Sequence, residues 1–455
     1  MKRIIEQRLL EWKEDTKRKP LILRGVRQCG KTWALKDFGA RHYENTVYIS
    51  FDENPEYCDF FAGPKDPSRI LSNLSLYTKQ PIHPGKTLLI FDEIQDCPNA
   101  LGSLKYFHEN HQGHHVACAG SLLGISIAGG SSFPVGKVDF LPVSPMTFTE
   151  FLMALGEDGM LEYIGDIDRI EPIPEPFFNL LHDRLKLYFV TGGMPEAVAE
   201  WIDRTDPGKL EQVIRNIITS YSIDFIKHLT PTMSRRVSRA WESLPSQLSK
   251  ENKKFQYKLV KNGANARDYE EAIDWLTNVN LVHRVKRCTA PGLPISAYED
   301  ESSFKLYAAD VGILRSLASL DPSVFGEGHR LFTEFKGALS ENYVLQALSA
   351  AYDTPMHYWT KLKPAYEVDF ILQHRNEIIP IEVKAGTDNK GKSIAFYGKT
   401  YAEKTPLRVR FSTMNLHIKD DLLNIPLFLA DMTPQLIELA MQHRPDIGTH
   451  YCPAE

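Results

Sequence analysis

The chain of 455 residues has no long apolar run, no CxxC pair, no internal repeat and no low-complexity tract. Each absence excludes a class. The least polar stretch, residues 116–130, is shorter than the ~20 residues of a membrane span and is broken by Gly and Ser, so no membrane partner is expected. The first 20 residues carry a charge every few positions and lack the apolar core of a secretory signal. The six cysteines, at 29, 58, 97, 118, 288 and 452, are scattered; that suits a reducing compartment and argues against a disulfide scaffold or a zinc site. A cytoplasmic location is the expectation. A formal charge of −5 argues against a protein that coats nucleic acid wholesale, yet leaves room for a local basic surface. What is present is ordinary for a globular protein, 43% hydrophobic and 24% charged residues. At this length roughly two to four domains are expected.

Residues 1–18 read as a charged amphipathic helix with Ile4, Ile5, Leu9, Leu10 and Trp12 along one side. A short apolar strand follows at Leu21–Leu23, then a glycine-containing loop, then a helix. Further apolar runs at Val47–Phe51, Thr87–Phe91 and Val116–Ala119 alternate with helix-like segments, the pattern of a parallel α/β sheet. Residues 157–176 (EDGMLEYIGDIDRIEPIPEP) are acidic and proline-rich and read as an insertion or linker. From Phe177 to about Leu248 the pattern is helical, interrupted by TGGMPEAV at 191–198. Beyond it, Ala272, Ile273, Leu276 and Val279 are spaced as on a helix over 268–279, and LVHRVKR alternates like a strand. Strands and helices mix again from about Phe304 onward.

GVRQCGKT, residues 25–32, is a complete phosphate-binding loop between a strand and a helix. Such a loop turns successive backbone N–H groups inward while the following helix aims its positive end at the same spot. Gly25, Val26, Arg27, Gln28, Cys29, Gly30, Lys31, Thr32 and Trp33 are therefore the expected nucleotide contacts. Lys31 bridges the terminal phosphates, and the Thr32 hydroxyl helps hold a magnesium ion (Mg2+). The apolar strand in TLLIFDEIQ delivers two acids at its carboxyl end. Asp92 is expected in the magnesium shell, and Glu93 as the base that orients the attacking water. After the third strand, Ser121 either touches the γ-phosphate or the water, or simply closes a turn.

The order of GVRQCGKT, LLIFDE, ACAGS, Glu150-Phe151 and GGMPEAV resembles the AAA-type P-loop ATPases of bacteria and archaea, near the STAND group, which carry a C-terminal domain of unknown function. The resemblance covers nearly the whole chain. It implies an α/β fold: a P-loop NTPase parallel sheet (1–156), a helical lid (157–248), a winged-helix-like unit (249–303) and a C-terminal mixed α/β restriction-endonuclease-like domain (304–455). It also implies ATP as the nucleotide, faced by the lid turn Gly193-Met194-Pro195, which puts Gly193 and Pro195 at the site. In VGKVDFLPVSP, Lys137 stands where such proteins usually show arginine, so no arginine finger is assigned.

A second constellation lies in EVDFILQHRNEIIPIEVKAG, residues 367–386. Two apolar runs flank HRNE, which predicts a β-hairpin turning at Arg375-Asn376. A symmetric hairpin about that turn sets Asp369 opposite Glu382, with Cβ atoms about 5 Å apart, close enough to share one divalent cation such as Mg2+ or Mn2+. Lys384, two residues on, falls on the same face. The same pairing sets Glu367 opposite Lys384, so charge pairing on a solvated sheet face gives the same pattern. The Asp, Glu-x-Lys arrangement resembles the PD-(D/E)xK nuclease core; that resemblance implies Asp369, Glu382 and Glu341 as metal ligands and Lys384 as a catalytic ammonium.

Between Ser246 and Ala290 nine Lys or Arg stand against five Asp or Glu. A winged helix places a helix in the major groove, but this one carries Asp268, Glu270, Glu271 and Asp274, which phosphates repel. DNA or RNA contact and intramolecular docking both fit. Two functions follow: an ATPase whose nucleotide state controls a nuclease-like effector, or a nucleotide-dependent switch whose C-terminal domain binds a protein or nucleic-acid partner.

Overall fold

The computed structural model describes residues 1–120, 133–250, 253–322, 330–386 and 391–442. A five-stranded parallel sheet carries β1 (Leu21–Arg24), β2 (Asn45–Ser50), β3 (Thr87–Asp92), β4 (His115–Ala119) and β5 (Asp139–Pro142) in the order β2-β3-β4-β1-β5. β3 is buried at every position, which is why its sequence is a continuous apolar run. Because all five strands are parallel, their carboxyl ends share one edge. β1 delivers residues 25–30 to that edge, and β3 delivers Asp92 and Glu93.

The N-terminal helix α1 (Ile5–Glu14) is shorter than its charge pattern predicts and buries Ile5, Leu9 and Trp12, while Ile4 is exposed. α2 (Lys31–His42) begins directly at the phosphate-loop lysine. α5 (Phe148–Leu155) closes this layer with a capping box in which Thr147 and Glu150 satisfy each other's backbone amides. Counting α3 (Pro67–Thr78) and α4 (Pro98–Asn110), the sheet is covered on both faces.

The acidic segment 157–176 is not a loose linker. It holds α6 (Asp158–Gly165), buries Ile164 and Ile173, and is clipped to distant residues: Ile173 exchanges two backbone bonds of 2.8 Å with the Asn415 side chain. The apolar character of Ile164, Ile167, Ile170 and Ile173 is spent on that seam. The rest of the segment 157–248, expected as a helical lid, holds α7 (Glu175–Thr191), α8 (Pro195–Arg204), α9 (Pro207–His228), α10 (Pro231–Glu242) and α11 (Leu244–Leu248).

The second sheet departs from the expected division at 303/304. After α12 (Tyr257–Val260) and α13 (Ala266–Asn278), β6 (Val282–Cys288) and β7 (Glu299–Ala308) form the hairpin read from sequence as a wing. β7 runs straight through position 304, and β6 pairs in parallel with β8 (His357–Lys361). The hairpin is thus an integral edge of one eight-stranded mixed sheet, in the order β12-β13-β11-β10-β9-β8-β6-β7. The remaining strands are β9 (Tyr366–His374), β10 (Glu377–Val383), β11 (Arg408–Ser412), β12 (His417–Lys419) and β13 (Leu422–Pro426). α14 (Val311–Leu317), α15 (Arg330–Ala351), α16 (Lys392–Thr400) and α17 (Thr433–Gln442) pack around it. One apolar core runs from a face of the first sheet (Leu21, Leu23, Ile90) through the lid to the second (Phe370, Ile379, Val409). Among the described residues no helix is long and apolar enough to cross a membrane.

Candidate functional site

The phosphate loop turns between β1 and α2 with Gly30 in the left-handed region at φ 91°. Gly25 is required by close approach: a Cβ there would stand 2.0 Å from the Val143 carbonyl oxygen. Cys29 is fully buried and its thiol donates to that same carbonyl at 3.3 Å. Lys31 is 7% exposed and donates to the Gly25 and Val26 carbonyls at 2.9 and 2.8 Å, which uses two of its three N–H bonds.

Beside it, the Thr32 hydroxyl lies 3.0 Å from both carboxylate oxygens of Asp92. Asp92 also accepts from the Tyr48 hydroxyl at 2.8 Å and from the Glu93 amide at 3.1 Å. Burial pushes its carboxyl above the ordinary range, the Tyr48 bond opposes this, and the neighbouring Glu93 charge adds to it. A hydroxyl and a carboxylate in contact at the head of a helix, with an unneutralised charge in a half-closed site, fit a divalent cation. Glu93 sits at φ 47°, and Gln95 donates to its carboxylate at 2.5 Å.

Lys31, Thr32 and Glu93 open onto a cavity of about 480 Å³, within the range of small-molecule sites. Arg27, Gln28, Gly30, Trp33 and Pro195 also line it, whereas Gly25, Val26, Cys29 and Asp92 do not. Gly193 does not line it. Its amide donates to Asp310 at 2.6 Å and its carbonyl accepts from the Met146 amide at 2.6 Å, so it fastens the turn that carries Pro195. Ser121 lies outside the described residues.

Several contributors were not legible in sequence. Arg3, buried at 7% exposure, donates to the Cys29 carbonyl at 2.7 Å, to the Ser144 carbonyl at 2.8 Å and to Glu150 at 2.9 Å, and so props the loop from behind. Arg3 itself, with Met1, Met146, Glu196 and Ala199, completes the wall. From the lid, the Tyr221 hydroxyl donates to the Arg27 carbonyl at 3.0 Å, and Asp224 pairs with the Arg27 guanidinium. Lys137, at the position of the expected arginine, pairs with Glu109 at 3.0 Å.

In the second sheet the hairpin turns at Arg375-Asn376, and its register pairs His374 with Glu377 and Phe370 with Ile381, as the symmetric reading requires. The side chains nevertheless part. The Glu382 carboxylate lies 3.2 Å from Lys384 and 3.6 Å from Arg410. Asp369 accepts from the Val383 amide at 2.8 Å and hydrogen-bonds to Glu341. Burial and the Glu341 charge hold the Asp369 carboxyl well above the ordinary range. Burial pushes Glu341 the same way, but Lys253 and Lys305 outweigh it and hold Glu341 low. Asp369 and Glu382 therefore have separate partners, and among the described residues no set of three acids, histidines or cysteines is arranged to hold a metal.

The basic residues expected to face nucleic acid are largely engaged within the chain. Arg284 pairs with Glu270 and Asp274 at 2.6 and 3.0 Å, Lys286 with Glu299 and Glu301 at 2.8 and 2.7 Å, and Arg287 with Asp300 at 2.7 Å. Lys258, Lys261 and Arg267 are exposed. Glu270 and Asp274 of α13 thus serve as partners of Arg284 on the hairpin, while Asp268 pairs with Arg236 at 3.7 Å.

Residues 17–152 match a family model described as an AAA domain. Residues 182–324 and 336–428 match two models described as domains of unknown function (DUF8612 and DUF4143). No curated protein matches the chain. Among solved structures the chain is similar to a Walker-type ATPase of Pyrococcus abyssi, at 15% identity and a TM-score of 0.44, covering 70% of this chain and 95% of that one. It is also similar to a STAND (signal transduction ATPase with numerous domains) protein with a tetratricopeptide repeat sensor from Pyrococcus horikoshii, at 12% identity and a TM-score of 0.26, covering 76% and 45% of the two chains. A third is C. elegans PCH-2, at 12% identity and a TM-score of 0.23, covering 40% and 56%; the chain thus spans about half the length of the latter two. The segment 17–152 that matches the AAA domain model contains the phosphate loop, Asp92 and Glu93.

Proposed function

We propose that the chain binds and hydrolyses ATP with Mg2+ and acts as a nucleotide-dependent switch on its C-terminal domain. The observation that carries this is the Thr32–Asp92 contact of 3.0 Å beside the Lys31 ammonium on a cavity of nucleotide size. Loop amides and Lys31 bind the β- and γ-phosphates, and Thr32 with Asp92 holds the metal, which when bound neutralises phosphate charge. Glu93, fixed by Gln95, orients the water and takes its proton. Pro195 closes the cavity from the lid side.

The switch reading rests on what lies behind the cavity walls. Met146 and Pro195 face the nucleotide, and the turn between them is tied by Gly193 to Asp310, a fully buried residue at the head of α14. On the other side, Thr149 donates its amide and hydroxyl to Asp431 at 2.7 and 2.8 Å. A shift of the lid turn on nucleotide binding is thereby passed to the second sheet's helices. Glu93→Gln tests the chemistry: we expect ATP affinity to hold while turnover falls at least ~100-fold, the scale of losing a positioned base. Unchanged phosphate release would remove Glu93 from that role.

A second reading, favoured by a hairpin register that ends with Phe370 beside Ile381, next to Asp369 and Glu382, is a nuclease-like effector acting on DNA or RNA under nucleotide control. Incubating single- and double-stranded substrates with Mg2+ or Mn2+, with and without ATP, decides it. Cleavage that disappears in Asp369→Ala/Glu382→Ala supports the effector. No cleavage under any condition leaves the C-terminal domain as a binding module for a protein or nucleic-acid partner.

A further inference from the structure

The acidic cluster of the second sheet is made of Glu341 on α15 and of Glu367 and Asp369 on β9. Two ammonium groups enter it. Lys305 on β7, with no exposed surface, lies 2.5 Å from Glu367, and Lys253 lies 2.7 Å from Glu341. Two further oxygens are taken: Tyr307 donates to Glu341 at 2.9 Å, and the Val383 amide donates to Asp369 at 2.8 Å. A hard divalent cation needs several free oxygen ligands at once, and each acid here already has a donor from the chain. The residues as placed do not fit a metal.

The two lysines differ in how they are held. Lys305 is fixed in the β6–β7 ladder at the edge of the second sheet. Lys253 sits on the connector between α11 and α12, laid along β7: Lys254 donates to the Ser303 hydroxyl at 2.8 Å, and the Phe255 amide donates to the Phe304 carbonyl at 2.8 Å. That connector continues from the lid. The Tyr221 ring of α9, which holds the phosphate loop through Arg27, contacts Trp241 of α10 with centroids 6.3 Å apart, and α10 runs into α11.

We infer that Lys253 is an internal plug, an ammonium group delivered by the lid connector into the place a divalent cation would take at Glu341 and Asp369. The inference rests on the nuclease-like reading only for the identity of the cluster, and it is tested without cleavage. With the nucleotide-free full chain, Mn2+ binding is followed by calorimetry and by the electron paramagnetic resonance signal of free Mn2+, comparing wild type, Glu341→Gln, Lys253→Gln and the double variant. The wild type and Glu341→Gln should bind Mn2+ alike, while Lys253→Gln should gain about one site per chain, lost again in the double variant. A wild-type Mn2+ site that vanishes in Glu341→Gln overturns the plug even if Lys253→Gln does not fold. So does a folded Lys253→Gln protein with no added site. If Lys253→Gln gains Mn2+ without cutting any substrate, the plug stands and the nuclease reading falls.

Discussion

Lys31→Ala is expected to weaken ATP binding by a factor on the order of 100 to 1,000, the loss of about 3–4 kcal/mol from charge-assisted bonds to phosphate oxygens. The lysine is buried beneath the loop and fixed by two carbonyls, so its remaining donor is already aimed at the cavity. Little conformational entropy is left to lose when a polyphosphate arrives, which is why one side chain carries so much. A fluorescent-nucleotide titration measures the effect, and a thermal melt separates it from unfolding. The variant should melt near the wild type without nucleotide and lose the upward shift that ATP gives the wild type. Wild-type affinity in the variant would sink both functional readings, because each requires the triphosphate on this loop.

How far the sequence reaches depends on whether the chemistry is local. The phosphate loop, Asp92 and Glu93 were legible because a strand, a tight turn and a helix N-terminus come from contiguous residues, and because a buried strand ending in two acids is rarely accidental. The hairpin register was legible for the same reason: a two-residue turn fixes which positions face each other. What failed was everything set by distant partners. Arg3 looks like one more charge on an amphipathic segment, and only the fold shows that it reaches three groups far along the chain. Tyr48 reads as a strand aromatic until the pairing of β2 with β3 places its hydroxyl on Asp92. The hairpin of β6 and β7 was taken for a wing because the strand that completes its pairing, β8, lies some 70 residues downstream. The Asp369 and Glu382 side chains follow partners contributed by other segments, Glu341 of α15 for one and Arg410 of β11 for the other, and nothing in their own strands announces this.

The largest expected loss of stability follows from Arg315. It has no exposed surface and joins three elements: its guanidinium donates to the Val190 carbonyl at the end of α7 at 3.1 Å, to the Leu320 carbonyl after α14 at 2.5 Å, and to Glu211 on α9 at 2.6 Å. Ser316 donates to the other Glu211 oxygen at 2.8 Å. Arg315→Met keeps the apolar stem but takes the buried donor from one Glu211 oxygen and from two carbonyls, while Arg215 at 2.9 Å and Ser316 stay on the other Glu211 oxygen, at a cost of about 3 kcal/mol. That is a large part of the ~5–15 kcal/mol that holds a typical domain, so the urea midpoint should fall clearly. Burial pushes the Glu211 carboxyl up, but the bond and charge of Arg315, together with the bonds from Ser316 and Arg215, outweigh it and leave the group below its ordinary value of 4.5. A carboxylate with a lowered folded-state pKa contributes stability at pH values above the unfolded value and loses it as the pH falls through the folded one. The gap between wild type and Arg315→Met should therefore be full at neutral pH and shrink as the pH drops below 4.5. The double variant Arg315→Met/Glu211→Met removes both charges and should recover much of the loss, since an apolar pair of similar volume meets no desolvation cost. A urea midpoint in Arg315→Met equal to that of the wild type would mean that the lid and the second sheet are fastened by their shared apolar core alone.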